Sequence, residues 1–146
     1  MALIRKHDWQ SQFHKFLDAR AAQPFAWGSN DCCLFTADAI EAITGTDLAA
    51  DFRGKYTDQA SAMAAIKTIA GGSTPEDAAV YVAKQHQLIE LPSAKFAQRG
   101  DMVVLDSDGG TAVGIVYLNG LDSIFVGPDG LRRVKTAQCR RAWRIG

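Results

Sequence analysis

Large apolar residues recur at helical spacing over the first half of the chain. Between positions 7 and 23 they fall on one helix face, with Asp8 placed to cap the start and Pro24 to end the helix. The residues on that face are Trp9, Phe13, Phe16 and Leu17. This spacing predicts a first amphipathic helix.

A second helix is predicted after the loop that follows Pro24. Asn30 or Asp31 is suited to cap it, and Gly45 is suited to end it after about Thr44. The adjacent residues Cys32 and Cys33 therefore fall in its first turn.

Two more helices are predicted before residue 87. The third opens at Thr57 and stops at Gly71-Gly72, with an apolar stripe made of Ala62, Met63, Ile66 and Ile69. The fourth begins at Thr74, where a capping hydroxyl, a proline at the first helical position and two acidic residues agree.

After Gln87 the pattern changes to short apolar stretches separated by turn residues such as Gly109-Gly110 and Asn119-Gly120. The predicted strands cover residues 88–91, 102–105, 112–118, 123–126, 131–134 and 141–145. Helices followed by antiparallel strands predict a single α+β domain over residues 1–146, in which the N-terminal helices pack on a C-terminal sheet.

Composition removes several classes of function. The 146 residues carry 16 basic and 16 acidic side chains, so no global field favours nucleic acid, and no apolar run reaches the ~18 residues of a membrane span. The three cysteines and three histidines have no metal-ligand spacing, so neither a metal nor a cofactor is predicted. Because Cys32 and Cys33 are adjacent, we expect free thiols rather than a disulfide.

Cys32 is the main candidate for chemistry. Backbone N–H groups at a helix start are unpaired and carry partial positive charge, which stabilises a thiolate and lowers its pKa. The same groups are able to hold the oxyanion that forms when a thiolate attacks an amide carbonyl. The alternative is a buried cysteine that only packs, since free cysteine is among the most buried residue types.

Three stretches resemble the motifs of the NlpC superfamily of papain-like cysteine peptidases. Residues 25–35 (FAWGSNDCCLF) resemble the nucleophile motif, an aromatic-x-Trp-Gly-Gly loop followed by Asp-Cys on a helix, and Cys32 takes the catalytic position. Residues 99–105 (RGDMVVL) resemble the start of the first central strand, and residues 112–116 (AVGIV) the next strand, normally His-Val-Gly-Ile-Tyr. The resemblance implies a papain-like fold, with helices against an antiparallel sheet or half-barrel.

The chemistry departs from that family at the base. Its catalytic histidine corresponds to Ala112, which has no group to accept or relay a proton. His7 and His14 belong to the first helix region, where solvent-facing positions are expected. His86, near the end of the fourth helix, is the remaining candidate base.

The resemblance is to a compact branch found in tailed bacteriophages and prophages. It implies a structural protein of the tail tip or baseplate, made in the host bacterial cytoplasm and located in the virion tail, with other tail proteins as partners. The alternative is an active cysteine amidase or endopeptidase that cleaves peptidoglycan stem peptides when the genome enters the cell. Four arginines near the C-terminus offer a candidate docking face for an acidic partner: Arg132, Arg133, Arg140 and Arg141.

Overall fold

The computed structural model describes residues 3–107 and 109–146, which form four helices followed by an antiparallel sheet. The helices are α1 (Trp9–Arg20), α2 (Cys32–Thr44), α3 (Gln59–Ala70) and α4 (Pro75–Gln85). The strands are β1 (Ile89–Glu90), β2 (Met102–Ser107), β3 (Gly110–Val116), β4 (Asp122–Gly127), β5 (Gly130–Lys135) and β6 (Arg141–Arg144). The predicted α+β class is confirmed, and each predicted helix and strand has a counterpart.

The helix ends follow the predicted signals, with one exception. Asp31 caps α2, and Gly45 ends that helix in the left-handed conformation. Thr74 caps α4 by accepting from the backbone N–H of Asp77, and the Asp77 carboxylate accepts in return from the backbone N–H of Thr74. Asp8 precedes α1 but makes no capping bond, because its carboxylate accepts from the side chain of Gln12 instead.

The sheet order is β1-β6-β2-β3-β4-β5, and every pair is antiparallel. The last strand is thus inserted between β1 and β2. A buried carboxylate fixes this end of the chain, because Asp101 accepts hydrogen bonds from Arg5, Arg144 and the backbone N–H of Ile145.

The two faces of the sheet pack against different partners. Val113 and Ile115 of β3 join the main core with the helices, and α2 supplies the fully buried side chains at its centre. Val116 packs in a smaller cluster with Cys139, covered by the connecting segments. This alternation is the two-residue period of a strand with both faces buried.

Two details differ from the sequence prediction. Met63, assigned to the buried stripe of the third helix, is 44% exposed, because α3 buries mainly Ala62 and Ile66. Two short 3₁₀ helices, Ala94–Phe96 and Thr136–Gln138, were not predicted. Within residues 3–107 and 109–146, no helix has the length and apolar character needed to cross a bilayer.

Candidate functional site

Cys32 is the first residue of α2, and the carboxylate of Asp31 determines how that helix begins. One oxygen of Asp31 accepts from the backbone N–H of Leu34 at 2.9 Å, as expected of a helix cap. The other accepts from the backbone N–H of Gly28 at 3.1 Å and from the hydroxyl of Tyr56 at 2.7 Å. Asp31 is only 2% exposed, and its bonds join the start of α2 to the loop at Gly28 and to the segment that contains Tyr56.

The loop before Cys32 is fixed by its backbone. Ala26 and Asn30 form an isolated antiparallel bridge, and Gly28 at the tip has φ +81°. A Cβ at Gly28 would lie 2.5 Å from the carbonyl oxygen of Tyr56, so only glycine fits this approach. The loop therefore holds the start of α2, and with it Cys32, in one orientation.

The pKa of Cys32 is lowered from its ordinary value by the neighbouring Cys33 thiol and by the backbone N–H groups of Val113 in β3 and of Cys33. The Cys33 thiol contributes most to lowering the pKa of Cys32, while burial and the negative charge of Asp31 oppose the shift. The pKa of Cys32 is thus lowered chiefly by its neighbour Cys33, and the nucleophilic role of Cys32 stays a prediction.

Val113 is available to Cys32 because of how β3 pairs. β3 and β4 pair only through Ile115 and Val116. Val116 donates to Asp101 on the β2 side, so the N–H of Val113, three residues earlier, points to the other edge. β4 does not pair with that edge at Val113, and the N–H of Val113 contributes to lowering the pKa of Cys32.

The two adjacent cysteines face different surroundings, since successive helical residues are turned by about 100°. Cys33 lines an apolar cavity of about 40 Å³ between α2, α3, α4 and the sheet, together with Thr36, Tyr56 and Val113. Donation to Cys32 and burial raise the pKa of Cys33 well above its ordinary value. Of the two thiols, Cys32 therefore ionises at the lower pH and Cys33 keeps its proton to higher pH.

Ala112 does not contact Cys32. Its side chain packs against the smaller cluster on the opposite face of the sheet.

The structure places all three histidines away from Cys32. His14 is exposed and pairs with Asp18 one turn further along α1. His7 is exposed just before α1, beside Lys6, whose N–H donates to Ile43 in the last turn of α2.

His86 also lies far from Cys32. It is the C-cap residue of α4 and lies near Asp47, which follows the C-terminal end of α2. Because α2 is about 20 Å long and Cys32 begins it, His86 and Cys32 lie at opposite ends of that helix.

The four C-terminal arginines divide into two pairs. Arg140 and Arg141 both bind Glu76, and they also pair with Asp106 and Glu90 respectively. Their charges are thus matched within the molecule.

Arg132 and Arg133 lie on β5, an edge strand, and both are exposed. Arg133 stacks on Tyr117 at 4.2 Å and only approaches Asp122, at 3.9 Å. These two charges are the ones open to an outside partner.

The sequence did not single out Tyr56 or the amide of Val113. Tyr56 lies in a stretch with neither helical nor strand periodicity, and its role depends on the loop that carries it back to Asp31. Burial and the bond to Asp31 raise the pKa of the Tyr56 hydroxyl, so it remains a donor. Among the described residues, no group of three or more His, Cys, Asp or Glu side chains is arranged to hold a metal ion.

Comparison with known proteins places the chain by family rather than by activity. No curated protein gives a significant match to the sequence. Residues 4–145 match a family described as a domain of unknown function, DUF6950. Since the match covers nearly the whole chain, the protein belongs to the DUF6950 family.

Proposed function

We propose that this protein is a structural component of a bacteriophage or prophage tail tip or baseplate, built on an NlpC-type papain-like fold that has lost its peptidase chemistry. The observation that carries the proposal is the combination of a cysteine at the start of α2, whose pKa is lowered, with three histidines that all lie elsewhere. The protein would act in the virion tail as a folded part rather than as a hydrolase.

The positions of the resembling stretches support the fold part of the proposal. Cys32 starts a helix that packs on an antiparallel sheet, and the strand facing it carries the AVGIV stretch. Arg99-Gly100-Asp101 directly precedes β2, the other central strand. A helix that begins at the candidate nucleophile and packs on central strands supports the proposed papain-like fold.

The chemistry of amide cleavage explains why a missing imidazole matters. A cysteine peptidase needs a group to stabilise the thiolate and a group to protonate the departing amine. The three donors around Cys32 serve the first need. Neither Ala112 nor any of the three histidines is placed for the second, so hydrolysis by this chain alone is expected to be slower by orders of magnitude.

The exposed charges suggest how the protein would join an assembly. Arg132 and Arg133 lie on the edge strand β5, where the neighbouring Leu131 N–H already donates to Ala21, whereas Arg140 and Arg141 are paired with acidic side chains. We therefore assign docking of an acidic segment of a neighbouring tail protein to the β5 edge, where backbone pairing and charge act together.

Genetics in a lysogen whose prophage carries this gene tests the structural role. We expect deletion to give particles with incomplete tails by electron microscopy, and expect the protein in purified intact particles by mass spectrometry. Cys32→Ala should restore assembly as well as Cys139→Ala, a matched change at a cysteine on the other face of the sheet. Normal tails after deletion, with no protein in the particles, would contradict the proposal.

One observation favours a second candidate, a cysteine amidase acting on peptidoglycan stem peptides. The hydrogen bonds from Cys33 and Val113 lower the pKa of Cys32 without any histidine, so the nucleophile is prepared for a base supplied by a neighbouring chain. Incubating muropeptides with whole particles and with the free protein separates the two functions. Cleavage by particles that is lost in Cys32→Ala and kept in Cys139→Ala would establish the enzyme and refute the purely structural role.

A further inference from the structure

Three arginines surround one buried carboxylate at the end of the sheet where β6 meets the segment before β2. Arg5 and Arg144 donate to Asp101 at 3.1 and 3.0 Å, and Arg5 also donates to the backbone carbonyl of Arg99 at 2.8 Å. The guanidinium groups of Arg5 and Arg99 both lie over the ring of Trp9, at 4.3 and 5.6 Å from its centre. The side chains of Arg5, Arg99 and Arg144 thus form one arginine cluster.

The arginine cluster carries more positive charge than its acidic partner balances. Among the described residues, Asp101 is the only group that forms an ion pair with any of the three arginines, and the carboxylate of Gly146 forms none. The two oxygens of Asp101 already accept four hydrogen bonds. Burial is the main reason that the pKa of Arg5 is lowered, and repulsion from Arg144 and Arg99 adds to it. Three positive charges therefore face one negative charge.

Two of the three guanidinium groups have donors open to a ligand. Arg99 is exposed, and its side chain makes no hydrogen bond within the described part of the chain. Arg144 uses Nε on Asp101 and one terminal nitrogen on the carbonyl of Phe96, which leaves its other terminal nitrogen open. Arg5, in contrast, uses all three nitrogens within the protein. Arg99 and Arg144 thus offer the planar donors that bind a carboxylate well.

Exposed apolar side chains border the arginine cluster. The described residues include six large hydrophobic side chains that are exposed, and three of them adjoin the cluster. Phe96 carries the carbonyl that accepts from Arg144. Ile89 lies directly opposite Arg144 across β1 and β6, so both side chains are on the same face of the sheet, and Ile4 immediately precedes Arg5. Unmatched positive charge beside exposed apolar groups favours a ligand that is both acidic and apolar.

We propose that the arginine cluster binds an acidic segment of a partner protein, with a carboxylate held by Arg99 and Arg144 and an apolar side chain of the same segment placed against Phe96. The cluster lies at the β1 end of the sheet, and β5 forms the other end, so this surface goes beyond the proposed function and does not depend on it. Nucleic acid and anionic bilayers are less suitable ligands, because 16 basic and 16 acidic side chains leave the chain without an extended positive field.

Isothermal titration calorimetry of the full chain with two peptides tests the proposal. One peptide alternates glutamate and leucine, and the other has glutamine in place of every glutamate. We expect the glutamate peptide to bind at low salt and to bind more weakly as salt is added, since exposed charges are screened. The glutamine peptide should bind at least about tenfold more weakly.

Three variants locate the binding. Arg99→Gln removes an unpaired charge without breaking a hydrogen bond, and Phe96→Ser removes the apolar side chain but keeps the carbonyl that accepts from Arg144. Each should lower the association constant of the glutamate peptide about fivefold or more. Lys67→Gln is the matched control, because it removes an exposed positive charge on α3, and it should leave the association constant unchanged. Circular dichroism of each variant checks that the fold is intact.

Several results would overturn the proposal. The first is that the glutamate peptide does not bind, or binds no better than the glutamine peptide. An association constant that is unchanged in Arg99→Gln would place the peptide elsewhere, for example at the β5 edge, and an equal loss in Lys67→Gln would show that only net charge matters. Binding to phosphatidylglycerol vesicles that is weakened by Arg99→Gln, without binding of the glutamate peptide, would assign the arginine cluster to a lipid surface instead.

Discussion

Replacing Asp31 with asparagine tests the anchor of the site through two independent measurements. Asparagine has the same shape and keeps one oxygen for the N–H of Leu34, so α2 should still begin at Cys32. Its amide nitrogen then faces the N–H of Gly28, a donor against a donor, while the hydroxyl of Tyr56 is free to turn and accept. One hydrogen bond is lost and one is reversed.

The expected loss of stability follows from that count. A hydrogen bond to a charged group contributes about 1.5–3 kcal/mol, and the half-buried N–H of Gly28 loses its acceptor, so we expect Asp31→Asn to cost about 2–3 kcal/mol. A domain of this size changes its melting temperature by about 2–4 °C per kcal/mol. Thermal unfolding should therefore shift downwards by roughly 4–12 °C.

The thiol should respond in the opposite direction. Hydrogen bonds from Cys33 and Val113 lower the pKa of Cys32, and the negative charge of Asp31 works against them. Removing that charge lowers the pKa of Cys32 further. The pH at which the alkylation rate of Cys32 reaches half its plateau should therefore fall, even though the protein is less stable.

Asp58→Asn is the matched control. Asp58 caps α3 in the same manner, but it is exposed and lies outside the Cys32 site. Its melting temperature and the alkylation profile of Cys32 should stay close to wild type, since asparagine caps helices as well as aspartate does. An alkylation midpoint that rises in Asp31→Asn, or an unchanged melting temperature, would refute this account of the anchor.

Three further substitutions probe the surroundings. Gly28→Ala should lower the free energy of unfolding, measured with denaturant, by more than about 1 kcal/mol. The reason is that φ of Gly28 is positive and the new methyl group would meet the carbonyl oxygen of Tyr56. An unchanged free energy would contradict the loop geometry. Thr36→Val should raise the free energy of unfolding by about 1 kcal/mol, since it removes a buried unpaired hydroxyl, and a loss instead would reveal a partner for that hydroxyl. Hydrogen bonds from Arg140 and Arg141 lower the pKa of Glu76. The stability that the Glu76 carboxylate contributes is therefore present above about pH 4.3 and lost as the pH falls through the lowered pKa. The difference in melting temperature between wild type and Glu76→Gln should therefore shrink from pH 7 to pH 3, and a constant difference would show that the charge of Glu76 is irrelevant.

The helix limits were predictable because their signals are local. Asp31, Thr74 and Gly45 act on backbone groups within a few residues, so their effect is encoded where they stand. Cys32 was placed correctly for the same reason. Apolar stretches separated by turn residues likewise located the six strands.

The rest of the site depends on contacts distant in sequence. The amide of Val113 reaches Cys32 only because β3 and β4 stop pairing at Ile115, and no local pattern encodes that register. The insertion of β6 between β1 and β2 is also a property of the whole sheet. The pairing of Arg140 and Arg141 with Glu76 joins a helix start to a strand 64 and 65 positions away. Counting the basic residues near the C-terminus therefore overstated how many of them are without an acidic partner.

The donors around Cys32 separate two needs that an imidazole normally meets together. Lowering the pKa of a thiol requires only nearby N–H and S–H groups, and Cys33 and Val113 supply them to Cys32. Expelling an amine from a tetrahedral intermediate also requires a strong proton donor aimed at the nitrogen, and none of the three histidines is placed for that role. The site therefore meets the first need of a cysteine peptidase and not the second, so cleavage of peptides requires a base from outside this chain.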